Sequence, residues 1–209
     1  MLDMQTLVIF SGAVTLLLLS PGPNMAFVIS HGLSMGWRGG LAAALGISLA
    51  DLVLTVLTAT GVTALVAAWP PSFDIIRFSG AVYLLWMAFK LLQPRKADNA
   101  DRPRETSLAA VLVAATLNSL LNPKALLFFI VFLPQFVVPA KGAVVQQLLL
   151  LGLVLSVIAL VFHVLLGACG GVISRWFSGK GRLAKLQPRL LASVLALLAL
   201  RLVLMQRPA

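Results

Sequence analysis

Proline stands in the middle of an apolar run at two places in this sequence, each time after a residue that caps helices: Leu19-Ser20-Pro21-Gly22-Pro23-Asn24 and Leu121-Asn122-Pro123-Lys124. Inside a helix, proline removes a backbone hydrogen bond and clashes with the preceding turn, at a cost of about 3 kcal/mol. At the first position after a Ser or Asn cap it instead starts a helix. Ser20-Pro21 and Asn122-Pro123 are therefore predicted to open half-helices whose free N–H groups make positive ends that attract an anion. Lys124 adds a full positive charge beside the second end, where a cation is unfavourable without a partner. Two partners are open to it. One is a structural ion pair with Asp51; the other is a substrate carboxylate received by Lys124 and both helix ends, and the two arrangements can alternate during transport.

Asp51 is the only acid deep inside an apolar run. Burying it costs about 2.5–3.5 kcal/mol on insertion scales, so it is expected to face the protein interior. A moving ligand or ammonium could switch its protonation, which makes it the candidate for proton coupling; a permanent partnership with Lys124 is the alternative. His163 is a second titratable group in such a run and can carry a proton near neutral pH, its alternative being a packing role. Asn118 and Asn122, four apart on one helix face, can donate to and accept from an amino-acid ligand, or can bridge helices. His31 is expected at the membrane interface. The candidate substrate-binding set is Ser20, Pro21, Gly22, Pro23, Asn24, Asn118, Asn122, Pro123 and Lys124, with Asp51 and His163 for protons. No catalytic residue, metal or cofactor is assigned.

The elements that must position these groups lie in lipid. Of 209 residues, 60% are hydrophobic and 11% charged, and the mean hydropathy is +1.03. That excludes a soluble enzyme, because a usual soluble domain carries more than twice this charge. A crossing needs about 20 mainly apolar residues, and six runs meet this, at about 5 to 30, 41 to 67, 74 to 92, 108 to 136, 146 to 172 and 189 to 206. Lys124 lies roughly 24 Å along the fourth, at 1.5 Å per residue. Arg77 and Lys90 bracket the third and Arg201 interrupts the sixth, and snorkelling of these side chains accommodates both. The first run has no basic segment before it and no cleavage signature after it, so it reads as a retained span.

Turn chemistry marks the connections at Gly36-Trp37-Arg38-Gly39-Gly40, Trp69-Pro70-Pro71-Ser72 and Pro139-Ala140-Lys141-Gly142, and the polar stretch from Pro94 to Thr106 reads as a disordered linker. The net charge of +10 comes from sixteen Lys and Arg against six Asp and Glu. Eleven of the sixteen fall on the side of the first, third and fifth connections, so both termini are predicted to face away from the cytoplasm. No nucleic-acid partner is needed to explain that charge, although the basic segment Arg175 to Arg189 can also lie on anionic lipid. Because three spans separate the two broken runs, the second enters from the opposite face. The chain thus reads as one all-α membrane domain of two inverted three-helix repeats, residues 1–93 and 107–209, joined by the linker at 94–106, with a site where the halves meet.

Other signals are weak or missing. The pairs Gly32/Gly36, Gly36/Gly40 and Gly167/Gly171 have the spacing that allows close helix approach or a homo-oligomer. Cys169 is the single cysteine, which excludes an internal disulfide. There is no Cys/His cluster, H-E-x-x-H or G-x-x-x-x-G-K-[ST], so metal and nucleotide sites lack support.

Taken together, Ser20-Pro-Gly-Pro-Asn24, Gly36-Trp-Arg-Gly-Gly40, Ala44-Leu-Gly-Ile-Ser-Leu-Ala-Asp51, Gly80-Ala-Val-Tyr-Leu-Leu85 and Asn118-Ser-Leu-Leu-Asn-Pro-Lys124 through Phe132-Leu-Pro-Gln-Phe136 resemble the lysine exporter superfamily, of the homoserine/threonine efflux (LysE/RhtB) type. The resemblance covers nearly the whole chain and is specific for the family rather than for a substrate. It implies a bacterial inner-membrane exporter of amino acids or close derivatives, threonine- or homoserine-like, driven by proton antiport. The chain departs from the family pattern at His31, where a basic residue such as Arg is expected, and at Ala50, where Gly is common. The fifth and sixth runs match only as apolar spans, so His163 draws no support from it. Two other classes remain: a passive channel whose broken helices only pack, and a cation or heavy-metal exporter of the same superfamily, against which one intramembrane acid and no thiolate pair argue.

Overall fold

The computed structural model describes residues 2–20, 22–69, 71–93 and 107–169, together with nine helical positions between 189 and 204. Pro21, the linker at 94–106, the basic segment at 175–188, Gly171 and Arg201 lie outside the described residues. Among the described residues every regular element is helical. In order they are α1 (Met4–Leu18), α2 (Pro23–Leu57), a π-helical turn (Thr58–Val62), α3 (Thr63–Ala68), α4 (Pro71–Leu92), α5 (Leu108–Leu120) and α6 (Pro123–Leu127). A second π turn (Phe128–Phe132), 3₁₀ turns at Leu133–Phe136 and Pro139–Lys141, and α7 (Val144–Ala168) complete the series.

Local chemistry sets the boundaries. Asp3 caps α1 by accepting from the Thr6 N–H at 2.8 Å, and Ser107 caps α5 by accepting from Ala110 N–H at 3.2 Å. Both bonds satisfy N–H groups that a helix leaves unpaired. The long range of α2 hides a reversal. Gly36 has φ 68° and ψ −166°, a conformation open to glycine alone. A Cβ placed on Gly39 would come within 2.6 Å of the His31 carbonyl, so the chain folds back here into a helical hairpin. The turn expected at 36–40 is thus built on Gly36. His31 is 9% exposed, packed against the protein. It stacks on Phe27 at 4.2 Å, with Nδ1 2.9 Å from the Phe27 carbonyl. The reason is the fold-back, which brings Gly39 against it.

By length and composition, Val144–Ala168 can cross a bilayer, as can Pro23–Gly61, which contains the Gly36 reversal, and the bent pair Leu108–Leu120 with Lys124–Phe136 makes a third if taken as one span. Their outward faces are those of a lipid-solvated protein: Leu150, Leu153, Val157, Val161 and Leu165 line one stripe of α7 at helical spacing, all exposed. Inside, α2 packs chiefly against α5 and α7. Small residues permit this. A Cβ on Gly40 would meet the Gly167 Cα at 2.7 Å, and one on Gly32 would also strike the Gly167 backbone. Gly46 sits against the Leu112 carbonyl, where Thr116 Oγ donates to both Gly46 O and Leu112 O at 2.9 Å. Of the glycines paired by spacing, Gly32, Gly40 and Gly167 thus serve a close crossing within the chain, while a Cβ on Gly36 would meet nothing within 4 Å.

This crossing carries a prediction. Gly40→Ala should destabilise the protein by about 1–3 kcal/mol through overpacking against backbone that cannot turn aside. Gly12→Ala, where nothing lies within 4 Å of the new methyl, should be neutral or stabilising because Ala is the better helix former. Thermal unfolding in detergent compares the two, and equal melting temperatures would refute the close crossing.

Candidate functional site

The two breaks anticipated from proline meet inside the bundle. At the first, Ser20 N–H bonds back to the Leu17 carbonyl at 3.1 Å and finishes α1. Gly22, extended at φ −154° and ψ −176°, is the cap of α2, and Pro23 is its first residue. Ser20-Pro21 was the expected start. The second proline displaces it, because Pro23 fits the first position equally well and Gly22 leaves space beside it. A Cβ on Gly22 would come within 3.3 Å of the Lys124 side chain. At the second break the expectation holds: Asn122 Oδ1 accepts from Lys124 N–H at 3.0 Å and Pro123 opens α6. The segments before and after it bend by 57°.

Side chains tie one break to the other. Lys124 Nζ donates to the Ser20 carbonyl at 2.6 Å. Asn24 is the hub of an amide cluster, its Oδ1 accepting from Asn118 Nδ2 and Asn122 Nδ2 at 3.1 Å each while its Nδ2 donates to Ser119 Oγ at 2.9 Å. Both lone pairs of that oxygen are thereby used. Asn118 thus bridges helices here, and it does not line the cavity beside the breaks.

That cavity encloses about 610 Å³ of empty space, counting the part open to the outside, and its polar wall consists of Ser20, Gly22, Asn24, Asp51, Asn122, Lys124 and His163. Asp51 and His163 are each 4% exposed. Asp51 takes part in no ion pair among the described residues, with Lys124 or any other cation. The Thr55 hydroxyl bonds the Asp51 backbone carbonyl at 2.7 Å and leaves the carboxyl to the cavity. The His163 Nδ1 makes no hydrogen bond of standard geometry, with the Ala159 backbone alongside it and Lys124 as its charged neighbour. Pro23 is exposed beside the site.

The rest of the wall is apolar: Val14, Leu17, Leu18, Met25, Ile47, Ala125, Phe128, Phe129, Leu155 and Ala159. These residues were not singled out from the sequence, but a signal existed. Ile47, Phe128 and Ala159 each lie four residues from a polar candidate, on the same helical face. Chemically, the site offers one ammonium, one carboxyl and one imidazole in an apolar chamber. Such a chamber can hold a small zwitterion with an apolar side chain, because few groups compete for the charges and the remaining wall is apolar.

At one end of the bundle, Lys141 Nζ pairs with Asp3 Oδ2 at 2.7 Å. Bonds from Lys141 and then from Thr6 hold the Asp3 carboxyl well below the usual carboxylate range. Next to this pair, Gln147 clamps the turn before α7, bonding the Val138 N–H at 2.9 Å, the Val138 carbonyl at 3.1 Å and the Gly142 carbonyl at 2.5 Å. The clamp holds Ala143 at φ 49°, a conformation that side-chain-bearing residues seldom adopt.

Comparison with known proteins gives the family. The family described as LysE type translocator matches residues 15–206. A leucine efflux protein of Klebsiella pneumoniae subsp. pneumoniae is 36% identical over 199 residues, covering 93% of this chain and 92% of its own. One from Enterobacter sp. (strain 638) is 34% identical over 172 residues, covering 81% and 82%. One from Salmonella typhimurium is 30% identical over 197 residues, covering 93% and 92%. No solved structure matches. With its broken helices, its apolar exterior and a match over nearly its whole length, the chain belongs to the LysE type translocator family.

Proposed function

We propose that this protein is a secondary carrier of the bacterial inner membrane that exports small apolar amino acids of the leucine type in exchange for protons. The observation that carries the reading is the polar layer at the two helix breaks, set in a chamber whose remaining walls are apolar. The substrate carboxylate competes with the Ser20 carbonyl for the Lys124 ammonium. A carboxylate wins this exchange, because a bond between two charged groups is roughly twice as strong as one to a neutral acceptor. The substrate side chain occupies the wall formed by Leu17, Phe128, Phe129 and Leu155. Asp51, the one carboxyl facing the cavity, carries the proton, with His163 as the second group able to do so. The leucine efflux activity named for the relatives fits this wall. A threonine or homoserine hydroxyl fits it less well. It would need a buried partner, and Asn24 and Asn122 already use their amide oxygens within the protein.

The carrier works as two inverted three-helix halves, residues 1–93 and 107–209, making six crossings with both termini outside. The helical ranges support this arrangement, and so does the Asp3–Lys141 pair, which joins the first terminus to the fourth connection at one end of the bundle. Uptake of labelled leucine, threonine and homoserine into inside-out vesicles, with and without an imposed pH gradient, tests the reading. Leucine should enter fastest and only with the gradient. No uptake of any amino acid by correctly inserted protein would favour a channel or a cation exporter instead.

A further inference from the structure

The polar layer lies between two apolar barriers of different build. On one side stands an aliphatic cluster without aromatic rings among its buried members, Met25, Val28, Ala42, Ala43, Ile47, Val111, Ala115 and Leu166. On the other stands a column of rings. Phe128, in the cavity wall, packs on Phe132 with centroids 4.3 Å apart. Phe132 meets Phe136 at 5.0 Å, and Phe10 closes the group at 5.9 Å from Phe132 and 5.1 Å from Phe136. Phe10, Phe132 and Phe136 are all at most 4% exposed.

Their direction from the cavity is fixed by the chain. α1 runs inward from Asp3 through Phe10 to Ser20, and the segment from Pro123 runs outward from Lys124 through Phe136 to Lys141, which pairs with Asp3. The rings therefore stand between the cavity and the face that bears the Asp3–Lys141 pair. A dry apolar constriction of this kind blocks water and ions until it is parted.

The segment that carries two of the three rings is also the least regular part of the bundle. It passes from α6 into a π turn and then a 3₁₀ turn within fourteen residues, Pro123–Phe136. Such changes of hydrogen-bond register within one helix mark hinges, because neither pattern is much more stable than its neighbour. At its base is Lys124, bonded to the opposite break. We propose that Phe10, Phe132 and Phe136 form the gate through which substrate leaves toward the Asp3–Lys141 face, and that the Pro123–Phe136 segment moves the gate in response to loading at Lys124. This rests on the transport reading above. The lever acts because a carboxylate that captures the Lys124 ammonium loosens the bond holding the base of the segment to Ser20.

The test uses full-length protein with Cys169→Ser and a reporter cysteine at Ser20→Cys in the cavity wall. A membrane-impermeant thiol reagent is applied to either face, in right-side-out and inside-out vesicles. Phe132→Ala and Phe136→Ala should each speed labelling from the Asp3–Lys141 face about tenfold or more, leaving the rate from the other face unchanged, because the dry constriction is removed. Phe136→Leu, which keeps an apolar plug, should label close to the parent rate. A separate pair, Phe10→Cys with Phe136→Cys, is bridged by a short bifunctional thiol reagent. Bridging should abolish leucine export while leucine binding from the opposite face persists, and cleaving the bridge should restore export. Labelling that is unaffected by the alanine variants, or export that survives bridging, would overturn the gate. If the labelling pattern holds but neither the bridged nor the unbridged protein moves leucine, the gate stands and the amino-acid reading falls.

Discussion

Lys124→Met is expected to weaken leucine binding roughly 30-fold to several thousand-fold, the equivalent of about 2–5 kcal/mol lost when one partner of a buried charge pair is truncated. Methionine keeps the aliphatic stem that rests beside Gly22 and removes only the ammonium, so packing at the first break should survive. The size of the effect comes from the surroundings. The cavity wall has ten apolar residues and no second Lys or Arg, so a substrate carboxylate loses its one permanent positive partner. Calorimetry or fluorescence titration with purified protein measures the change. A Kd that stays within about threefold of wild type would remove Lys124 from the binding site and leave its bond to the Ser20 carbonyl as a purely structural tie.

Asp51→Asn should separate exchange from concentration. The amide fills the same space but takes up no proton, so the cycle can move substrate across without moving charge in return. In vesicles with one pH unit imposed, a carrier coupled one to one can concentrate leucine about tenfold, since one unit is worth about 1.4 kcal/mol. The variant should equilibrate leucine and concentrate none. Exchange of labelled for unlabelled leucine, which needs no net proton movement, should persist. The cavity supports this division, because the Asp51 carboxyl faces it without an ion pair while Lys124 is bonded elsewhere. Full gradient-driven accumulation in Asp51→Asn would pass the role to His163, and His163→Gln would then be the variant to measure.

The breaks, the hairpin and the family were legible because each rests on residues whose effect is local. Proline after Ser or Asn cannot sit quietly inside an apolar helix, and Gly36 can take a backbone angle that other residues avoid. What the sequence could not convey is choice among distant partners. Asn118 and Asn24 are 94 residues apart, and nothing in either neighbourhood says that one amide saturates the other. The same holds for Lys124, whose partner is a backbone carbonyl, a group every residue has. The π turns at Thr58–Val62 and Phe128–Phe132 leave no compositional trace either, since Thr-Ala-Thr-Gly-Val and Phe-Phe-Ile-Val-Phe suit several helical registers. His31 shows the converse, a residue whose place depended on how sharply the chain turned five positions later.

The bare backbone contact of Gly32 and Gly40 with Gly167 has a consequence for how the protein is made. Gly167 leaves the ribosome 127 residues after Gly40, a delay of roughly 6–25 s at ordinary rates of synthesis. Throughout that interval the first hairpin resides in the bilayer with its groove unfilled, and lipid chains or neighbouring helices must line it and then withdraw. The final shape is thus reached late, by displacement of temporary occupants. Shortening the interval before residues 144–168 emerge should raise the yield of correctly assembled protein.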